Sequence, residues 1–393
     1  MIDVDVVIVG AGAAGLMCAA QAGLRGRKTL LIDHVRKAGN KIRMSGGGKC
    51  NFTNYSVEAE NYLSNNRHFC KSALSRFTQW DFLALIDKYQ IPFHEREHGQ
   101  LFCDHSSKDI LDMLLAECAQ AKVEIRLNEK IQSICVASAD GFILKTEDTQ
   151  IHCQSLVIAT GGLSIPTMGA SNFGYKVAEQ FDLKVLAPSA GLVPFTLQPE
   201  DKERFAPLSG IALDCRLSND RISFRENLLF THRGLSGPVA LQQSNYWFPG
   251  ETIEADLLPS HDLYHELIEA QQQQPNSKLK NVLTHYFPKR LVAAFVASAL
   301  AEKRLQNLSH RQLEELSQSF KCWQLKPNGT EGYRTAEVTR GGVDCDAVSS
   351  KTFEAAQVPG LYFVGEVLDV TGWLGGYNFQ WAWASGWCAG QYV

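Results

Sequence analysis

The sequence has no long apolar run and no basic segment ahead of its first strand-like stretch. Its longest uncharged apolar run covers residues 291–301, whereas a membrane-spanning helix needs roughly 18 apolar residues. A secretory signal peptide begins with a basic segment, and the strand-like stretch at residues 4–9 is preceded by none. We therefore expect a soluble, cytoplasmic protein with no membrane partner.

Paired cysteines and a net basic charge are absent too. The 11 cysteines are scattered, and no two of them are separated by two residues, which argues against a disulfide framework and a structural zinc site. The formal net charge of -4 argues against a protein whose whole surface binds nucleic acid. With 45% hydrophobic and 20% charged residues, the composition is that of a globular protein, which excludes a disordered or coiled-coil chain. We expect reduced thiols and no metal.

The first residues instead carry a glycine motif between a predicted strand and a predicted helix. Apolar residues 6–9 are typical of a strand buried on both faces, and the motif GxGxxG follows directly. Its first glycine permits a tight turn, its second lets the backbone approach a pyrophosphate, and its third lets helix and strand pack closely. Asp33 ends the next predicted strand and can accept hydrogen bonds from ribose hydroxyls. The predicted dinucleotide-binding residues are Gly10, Gly12, Ala13, Ala14, Gly15 and Asp33.

Two later strand ends favour FAD over NAD as the cofactor. Residues 156–162 and 361–366 each read as a buried strand that ends in a glycine turn, and the second turn carries an acid. Both resemble elements of flavoproteins with the glutathione-reductase-like fold, where they pass near the adenosine half and the ribityl chain. This resemblance implies non-covalent FAD, with contacts from Thr160, Gly161, Gly365 and Glu366. Because no second GxGxxG is present, we expect NAD(P)H to be a transient reductant that docks at the flavin.

Two polar, glycine-rich blocks complete the predicted cofactor site. The block at residues 39–54 combines three consecutive glycines with polar side chains and is interpreted as a loop of free N–H groups that suits a phosphate or a flavin edge. The block at residues 371–380 places two glycines at the start of the last helix, whose dipole can stabilise negative charge on a reduced flavin. The tryptophans of that helix are interpreted as core packing. The candidate cofactor contacts are Lys41, Ser45, Gly46, Gly47, Asn51, Gly376, Tyr377 and Asn378.

The candidates for catalysis are fewer and less specific. His232 has Arg and Ser neighbours in residues 231–238 and can donate a proton or bind substrate, although a structural role explains it equally well. Arg340 precedes a glycine pair that can pass against the flavin. Cys103 is a third candidate acid, but a lone cysteine more often belongs to a buried core. Lys49 and Asn51 are further candidate donors to a substrate carbonyl.

One segment departs from the acidic character of the chain. Residues 276–311 contain seven basic residues and one acidic residue, a net charge of +6, so the rest of the chain carries -10. A concentrated basic face on an otherwise acidic protein is typical of a surface that binds a phosphate backbone. A solvated helix face is the alternative interpretation. The candidate RNA-binding residues are Lys289, Arg290, Lys303 and Arg304.

Changes in residue composition and periodicity along the chain predict the domain organisation. We expect an α/β fold, a glutathione-reductase-like FAD-binding Rossmann domain interrupted by a small β-rich domain and a helical insertion. The predicted FAD-binding domain comprises residues 1–189 and 341–393, the β-rich domain 190–250 and 320–340, and the helical insertion 251–319.

The motif blocks together resemble those of one known family. Residues 10–15, 41–54, 231–238 and 371–380 are similar to the corresponding blocks of the BaiN/YhiN-type (RdsA-like) flavoproteins, and the resemblance covers nearly the whole chain. It implies an FAD-dependent oxidoreductase that uses NAD(P)H to reduce a conjugated C=C bond. The nearest branch implies uridine in 23S ribosomal RNA as the substrate and dihydrouridine as the product. A small-molecule flavin enzyme, either an enone reductase or an amine oxidase, is the alternative, and a flavin-binding protein without catalysis is a third possibility.

Overall fold

The computed structural model describes residues 1–137 and 140–393. The chain forms two compact units, one from Met1–Ala190 and Glu337–Val393, and the other from Gly191–Ala336. The two ends of the chain therefore build the first unit together. The finer division into three domains given above stays a prediction.

The strands and α-helices have the following bounds. The strands are β1 (Ile2–Val9), β2 (Thr29–Asp33), β3 (Asn51–Asn54), β4 (Tyr62–Leu63), β5 (Phe93–Arg96), β6 (Gln100–Cys103), β7 (Glu124–Leu127), β8 (Ser133–Val136), β9 (Phe142–Lys145), β10 (Gln150–Ile158), β11 (Val185–Gly191), β12 (Phe195–Thr196), β13 (Ala212–Ser218), β14 (Ser223–Phe230), β15 (Gly234–Ser236), β16 (Ile253–Asp256), β17 (Trp323–Leu325), β18 (Gly329–Thr330), β19 (Val338–Val343), β20 (Leu361–Phe363) and β21 (Thr371–Gly372). The helices are α1 (Ala13–Leu24), α2 (Asn40–Met44), α3 (Phe69–Arg76), α4 (Gln79–Lys88), α5 (Ser107–Gln120), α6 (Phe173–Gln180), α7 (Pro199–Phe205), α8 (Pro238–Ser244), α9 (Leu263–Gln273), α10 (Leu279–Leu283), α11 (Lys289–Phe295), α12 (Ser298–Ala301), α13 (His310–Lys321) and α14 (Tyr377–Gly390).

A mostly parallel sheet forms the centre of the first unit. Its strand order is β7-β2-β1-β10, all parallel, and the long strand β10 has two different partners on its far side. The first half of β10 pairs with the antiparallel strand β9, and the second half pairs with the parallel strand β20 from the C-terminal segment. Apart from Ile2, which is partly buried, the apolar residues of β1, β2 and β10 are buried, as expected for strands covered on both faces.

The last helix, α14, packs directly on the first helix, α1. Gly386 faces the backbone of Ala14 so closely that a Cβ at position 386 would lie 2.4 Å from the Ala14 carbonyl oxygen. Gly390 meets Gln21 in the same way, with 2.5 Å between an added Cβ and the Gln21 Cβ. Trp381 and Trp383 of α14 are buried, and each indole N–H donates to a backbone carbonyl, that of Gly365 or Phe52. These two tryptophans thus pack in the core.

A small sheet and a broken helix lie between β2 and β7 in the chain. The sheet has the order β3-β6-β5 and is antiparallel. The periodicity of residues 68–90 predicts one helix, but the structure has two, α3 and α4. Thr78 interrupts the helix because it caps α4: its hydroxyl accepts from the Asp81 N–H, and the Asp81 carboxylate accepts from the Thr78 N–H.

The second unit is built on an antiparallel sheet of order β17-β16-β13-β14-β15-β12-β18. The helices α9–α13 all lie in the chain between β16 and β17, which pair with each other. Strand β16 lies within the range 251–319 assigned above to the helical insertion, and the helices of that segment begin at Leu263. The helical segment is thus a long insertion between two neighbouring strands of one sheet.

Within the described part of the chain, no helix combines the length and the apolar character needed to cross a membrane.

Candidate functional site

The glycine motif forms the turn from β1 into α1. Gly10 has φ +115, a left-handed conformation that favours glycine, and a Cβ there would lie 2.4 Å from the Ala159 carbonyl oxygen. A Cβ on Gly15 would lie 1.9 Å from the Gly10 carbonyl oxygen. Both glycines are therefore required by backbone packing between β1, α1 and the end of β10.

Gly12 differs from these two glycines because the space that a side chain would occupy there is open. A Cβ on Gly12 would meet no heavy atom within 4 Å, and the residue occupies the N-cap of α1 without any side-chain hydrogen bond to the first turn. The N–H groups of that turn are therefore available to an anion. Asp33 lies beside the turn and accepts hydrogen bonds from the Ala11 N–H at 2.7 Å and the Val35 N–H at 3.1 Å.

Three segments of the first unit converge on the carboxylate of Glu366, which follows β20 and belongs to a fourth segment. The Lys41 ammonium of α2 donates to Glu366 Oε2 at 2.7 Å and to the Ser164 hydroxyl at 2.6 Å. Glu366 Oε1 accepts from the Thr339 N–H at 2.8 Å and from the Ser164 hydroxyl at 3.2 Å. Ser164 is buried, and Lys41 and Glu366 are partly buried, so this ion pair is shielded from most of the solvent.

The block at residues 39–54 is predicted to be a loop, but in the structure most of it is regular secondary structure. It forms α2, a short 3-10 turn over Ser45–Gly48, and β3. Gly46 has φ +56 and packs against the Phe102 ring, whereas Cβ atoms on Gly47 and Gly48 would meet nothing within 4 Å. The backbone of the block is thus open to a close approach at Gly47 and Gly48.

Residues 371–380 form a tight connection into α14. Asn378 holds this connection, since its side chain accepts from the Gly372 N–H at 2.8 Å and donates to the Gly372 and Trp373 carbonyls at 2.9 and 3.1 Å. Gly376 has φ +97, and a Cβ there would lie 2.4 Å from the Thr53 carbonyl oxygen of β3. The ring of Tyr377 is buried. The structure thereby brings the two polar glycine blocks together.

The residues present fit a bound dinucleotide such as FAD. Gly12 leaves a cradle that a Cβ would fill, at a helix N-terminus whose N–H groups can bind a pyrophosphate. The Thr160 hydroxyl is buried and has no hydrogen-bond partner among the described residues. A buried polar atom without a partner is costly to a folded protein unless a ligand or water satisfies it. Asp33 offers carboxylate oxygens of the kind that bind ribose hydroxyls.

The catalytic candidates of the first unit differ in their surroundings. Arg340 lies in β19 next to Thr339, whose N–H binds Glu366, so its backbone is anchored at the Glu366 cluster. The Cys103 side chain is fully buried, and burial raises the pKa of its thiol. The Lys49 ammonium donates to the Asp104 and His105 carbonyls and thereby ties the start of β3 to the loop after β6. The Cys103 thiol is thus enclosed by the protein, and the Lys49 ammonium is engaged with two backbone carbonyls.

His232 belongs to the second unit. It is exposed at the tip of the turn between β14 and β15. The turn is closed by Thr231, whose N–H donates to the Gly234 carbonyl at 2.8 Å and whose hydroxyl accepts from the Gly234 N–H at 3.1 Å. Arg233 pairs with Glu331 at 3.2 Å. His232 is thus presented to solvent by a rigid turn.

The basic segment forms two groups of charges in the second unit. Arg290, beside Lys289 at the start of α11, donates to the Pro207 carbonyl at 2.8 Å. Lys303 and Arg304 follow α12. Their segment pairs with the chain just before α10 through an antiparallel β-bridge between the backbones of Arg304 and Lys278. Among the described residues, none of the four candidate RNA-binding side chains has a carboxylate partner. The salt bridges of the basic segment instead involve Lys278 and Lys280 with Glu302, and Arg311 with Glu315.

Comparison with known proteins identifies the family. The family model described as HI0933-like protein Rossmann domain matches residues 4–392. The chain belongs to this family. The family expected from the motif blocks and the predicted α/β fold class with an FAD-type Rossmann domain are both confirmed.

Three relatives match this chain over nearly its full length. The chain is 54% identical over 389 residues to a ribosomal RNA dihydrouridine synthase of Escherichia coli, covering 98% of this chain and 97% of the relative. It is 50% identical over 384 residues to a protein of the same name from Haemophilus influenzae, covering 96% of each. It is 26% identical over 404 residues to a 3-dehydro-bile acid delta(4,6)-reductase of Clostridium scindens, covering 98% of this chain and 97% of that one.

Sequence reasoning missed two members of the Glu366 cluster, Ser164 and Thr339. Ser164 follows the glycine pair after β10, and Thr339 is one residue before the candidate Arg340, so both lie at the edge of motifs that were recognised. Their polar side chains gave no signal of their own, because serine and threonine are common in such turns. Only the convergence of four distant segments reveals their role.

Proposed function

We propose that this protein is an FAD-dependent rRNA dihydrouridine synthase, which reduces uridine in 23S ribosomal RNA with electrons from NAD(P)H, and that it acts in the cytoplasm. The observation that carries the proposal is the identity of 54% and 50%, over nearly full length, to two relatives that bear the name ribosomal RNA dihydrouridine synthase. The open cradle at Gly12 supports the cofactor, and the basic segment supports an RNA substrate.

The first unit supplies the residues that would hold the cofactor. The α1 N-terminus and Gly12 would bind the pyrophosphate, and Asp33 would accept from the ribose hydroxyls. Lys41 neutralises Glu366 and fixes its carboxylate beside the turn that follows β20. The N-terminus of α14 would place its positive dipole end toward the flavin.

The reaction adds a hydride and a proton across one C=C bond. Reduced FAD, when bound, would supply a hydride to C6 of the uracil ring, and a protein acid or water would supply the proton to C5. The protein must stabilise the negative charge that develops on the uracil carbonyl oxygen, and Arg340 is the candidate donor for that task. It must also take the base out of its stack when the target is structured. The candidate acids are His232, which is exposed, and Cys103, whose burial argues against that role.

A small-molecule substrate is the second candidate function. The 26% identity to a bile acid reductase favours this reading, since that name describes reduction of conjugated C=C bonds. Such an enzyme would use the same cofactor site and would not need the basic segment.

The proposal is tested by counting dihydrouridine in 23S rRNA. Nucleosides of purified 23S rRNA are measured by mass spectrometry in cells with and without the gene, and in deleted cells that carry wild-type protein or the FAD-site variant Asp33→Asn. We expect dihydrouridine to disappear with the gene, to return with the wild type and to return poorly with the variant. The same measurement on purified protein, FAD, NADPH or NADH and unmodified rRNA identifies the reductant.

A variant of the basic segment separates the two candidate functions. Replacing Lys289, Arg290, Lys303 and Arg304 together by Gln leaves the first unit untouched. If the protein acts on rRNA, this variant loses most of its rRNA reduction, and the activity that remains depends less on the salt concentration. Unchanged dihydrouridine after deletion of the gene would refute the rRNA function, and reduction of a small enone by both proteins at equal rates would support the small-molecule enzyme.

A further inference from the structure

Glu302 is the one acidic residue in the basic segment, and two of the seven cations bind to it. The Lys278 ammonium lies 2.7 Å from Glu302 Oε2, and the Lys280 ammonium donates to Glu302 Oε1. All three side chains are about half exposed, with relative exposures of 49%, 42% and 46%. Each carboxylate oxygen thus holds one lysine at the surface.

The backbone places this cluster beside two candidate RNA-binding residues. The Leu279 N–H donates to the Lys303 carbonyl at 2.9 Å, and the Leu305 N–H donates to the Ser277 carbonyl at 2.9 Å. Residues 277–280 and 302–305 are therefore held side by side, and we call these eight residues the paired-segment patch. The patch contains four cations and Glu302, so its net charge is +3.

The negative charge of Glu302 persists over the whole physiological range. Hydrogen bonds from Lys278 and then from Lys280 lower the pKa of Glu302 to about 2. Acidification therefore does not release the two lysines. A competing anion can release them, because exposed ion pairs are weak and exchange readily.

We propose that Lys278 and Lys280 are further phosphate-binding residues of the RNA surface, and that Glu302 limits its affinity by occupying both until an RNA phosphate displaces it. This inference rests on the proposed rRNA substrate. RNA that does not place a phosphate at the patch meets two neutralised lysines and binds more weakly. Glu302 is thus a specificity-determining residue, since it lowers non-specific binding more than binding of the correct RNA.

The test is to remove the carboxylate charge while keeping the shape of the side chain. Glu302→Gln and wild-type holoenzyme are titrated with two probes, a 20-nucleotide oligouridylate and a 23S rRNA transcript, between 50 and 300 mM KCl. We expect Glu302→Gln to bind oligouridylate about 3- to 10-fold more tightly at low salt. The slope of log K against log salt concentration should become more negative by about 1.4. Each of the two additional phosphate contacts contributes about 0.7 on a single strand. The gain should be smaller for the transcript.

The matched control removes the same charge elsewhere in the second unit. Asp220 is exposed in the turn between β13 and β14, so Asp220→Asn changes the net charge equally without touching the patch. The triple variant Lys278→Gln, Lys280→Gln, Glu302→Gln should lose the gain of the single variant. Thermal unfolding and FAD content should be the same in all variants.

The possible outcomes are distinct. If Glu302→Gln gains no more affinity than Asp220→Asn, or if the triple variant keeps the gain, the role of Glu302 is overturned. The role of Glu302 can fail while the proposed RNA surface is retained. This is the result if replacing Lys289, Arg290, Lys303 and Arg304 still weakens RNA binding. If that fourfold variant also binds both probes as wild type does, the RNA part of the proposed function fails with it.

Discussion

At the scale of single residues, the glycines of one turn serve different purposes. Gly15 is required by protein packing, since an added Cβ would lie 1.9 Å from the Gly10 carbonyl oxygen. Gly12 is not required by packing, because a Cβ there would meet nothing within 4 Å and its φ of -89 suits any residue. The space beside Gly12 is therefore open to a ligand such as the proposed cofactor.

Alanine at these two positions should separate folding from cofactor binding. We expect Gly15→Ala to lower the free energy of unfolding by about 1–3 kcal/mol or more, because the added methyl overpacks the contact with Gly10. We expect Gly12→Ala to fold with nearly unchanged stability and to bind FAD at least about 10-fold more weakly, because its methyl occupies the approach of the pyrophosphate. Urea unfolding of the apoprotein and fluorescence titration with FAD measure the two quantities. Equal loss of stability in both variants would contradict the assignment.

At the scale of elements, one ion pair connects α2 with the turn after β20. Lys41 and Glu366 are partly buried, with side-chain exposures of 32% and 20%, and Thr339 and Ser164 complete the hydrogen bonds of the carboxylate. Removing one partner of a shielded pair leaves an uncompensated charge, whereas removing both does not. The pair thus helps to hold four segments in place around the proposed cofactor site.

A double-mutant cycle tests this connection. We expect Lys41→Met to lower the free energy of unfolding of the apoprotein by about 1–2 kcal/mol and Glu366→Gln to lower it by less. The double variant should be more stable than the sum of the two losses predicts, because no unpaired charge remains. Urea unfolding provides all four values. Additivity within about 0.3 kcal/mol would mean that the two side chains are not coupled.

Helix boundaries belong to the same scale. The apolar periodicity of residues 68–90 predicts a single helix, and the structure divides it at Thr78. The capping pair Thr78 and Asp81 is visible in the sequence, but a capping pattern inside an amphipathic stretch competes with the periodicity. In the structure Phe77 is extended and buried, and Thr78 caps the second helix.

At the scale of the whole molecule, charge is distributed unevenly along the chain. The basic segment lies in the second unit, whereas the predicted cofactor residues lie in the first. An acidic protein with one basic surface can bind RNA in a defined orientation while its other surfaces repel it. Within that basic surface, salt bridges to Glu302 and Glu315 reduce the number of free cations.

The pH dependence of RNA binding follows from the state of Glu302. Its pKa is lowered to about 2, so the stabilisation from its ion pairs is complete above the ordinary value of about 4.5 and is lost only as the pH falls towards 2. We therefore expect the ratio of RNA affinities of Glu302→Gln and wild type to stay constant between pH 8 and pH 5. Taking the ratio removes the effect of histidines, which titrate in both proteins. A ratio that falls towards one at pH 5 would show that protonation of Glu302 releases the lysines.

The sequence by itself determined the Rossmann-type fold class, and its motifs predict the candidate cofactor residues. Requirements such as a positive φ at Gly10, close packing at Gly15 and a carboxylate at Asp33 are local, so they leave a readable pattern at fixed spacing. Buried strands at β1 and β10 are equally readable, because both faces are covered and the residues are continuously apolar. The order of these motifs along the chain was enough to predict the family.

Only the tertiary structure decided which distant side chains act together. Ser164 and Thr339 join Lys41 at Glu366 because four separate segments meet there, and no spacing in the sequence records such a meeting. In the same way, a count of charges treats Lys278 and Lys303 as equal, whereas folding binds Lys278 to Glu302 and leaves Lys303 without a carboxylate partner among the described residues. Hydrogen bonds and ion pairs depend on distances in space, and these distances are set by packing of the whole unit.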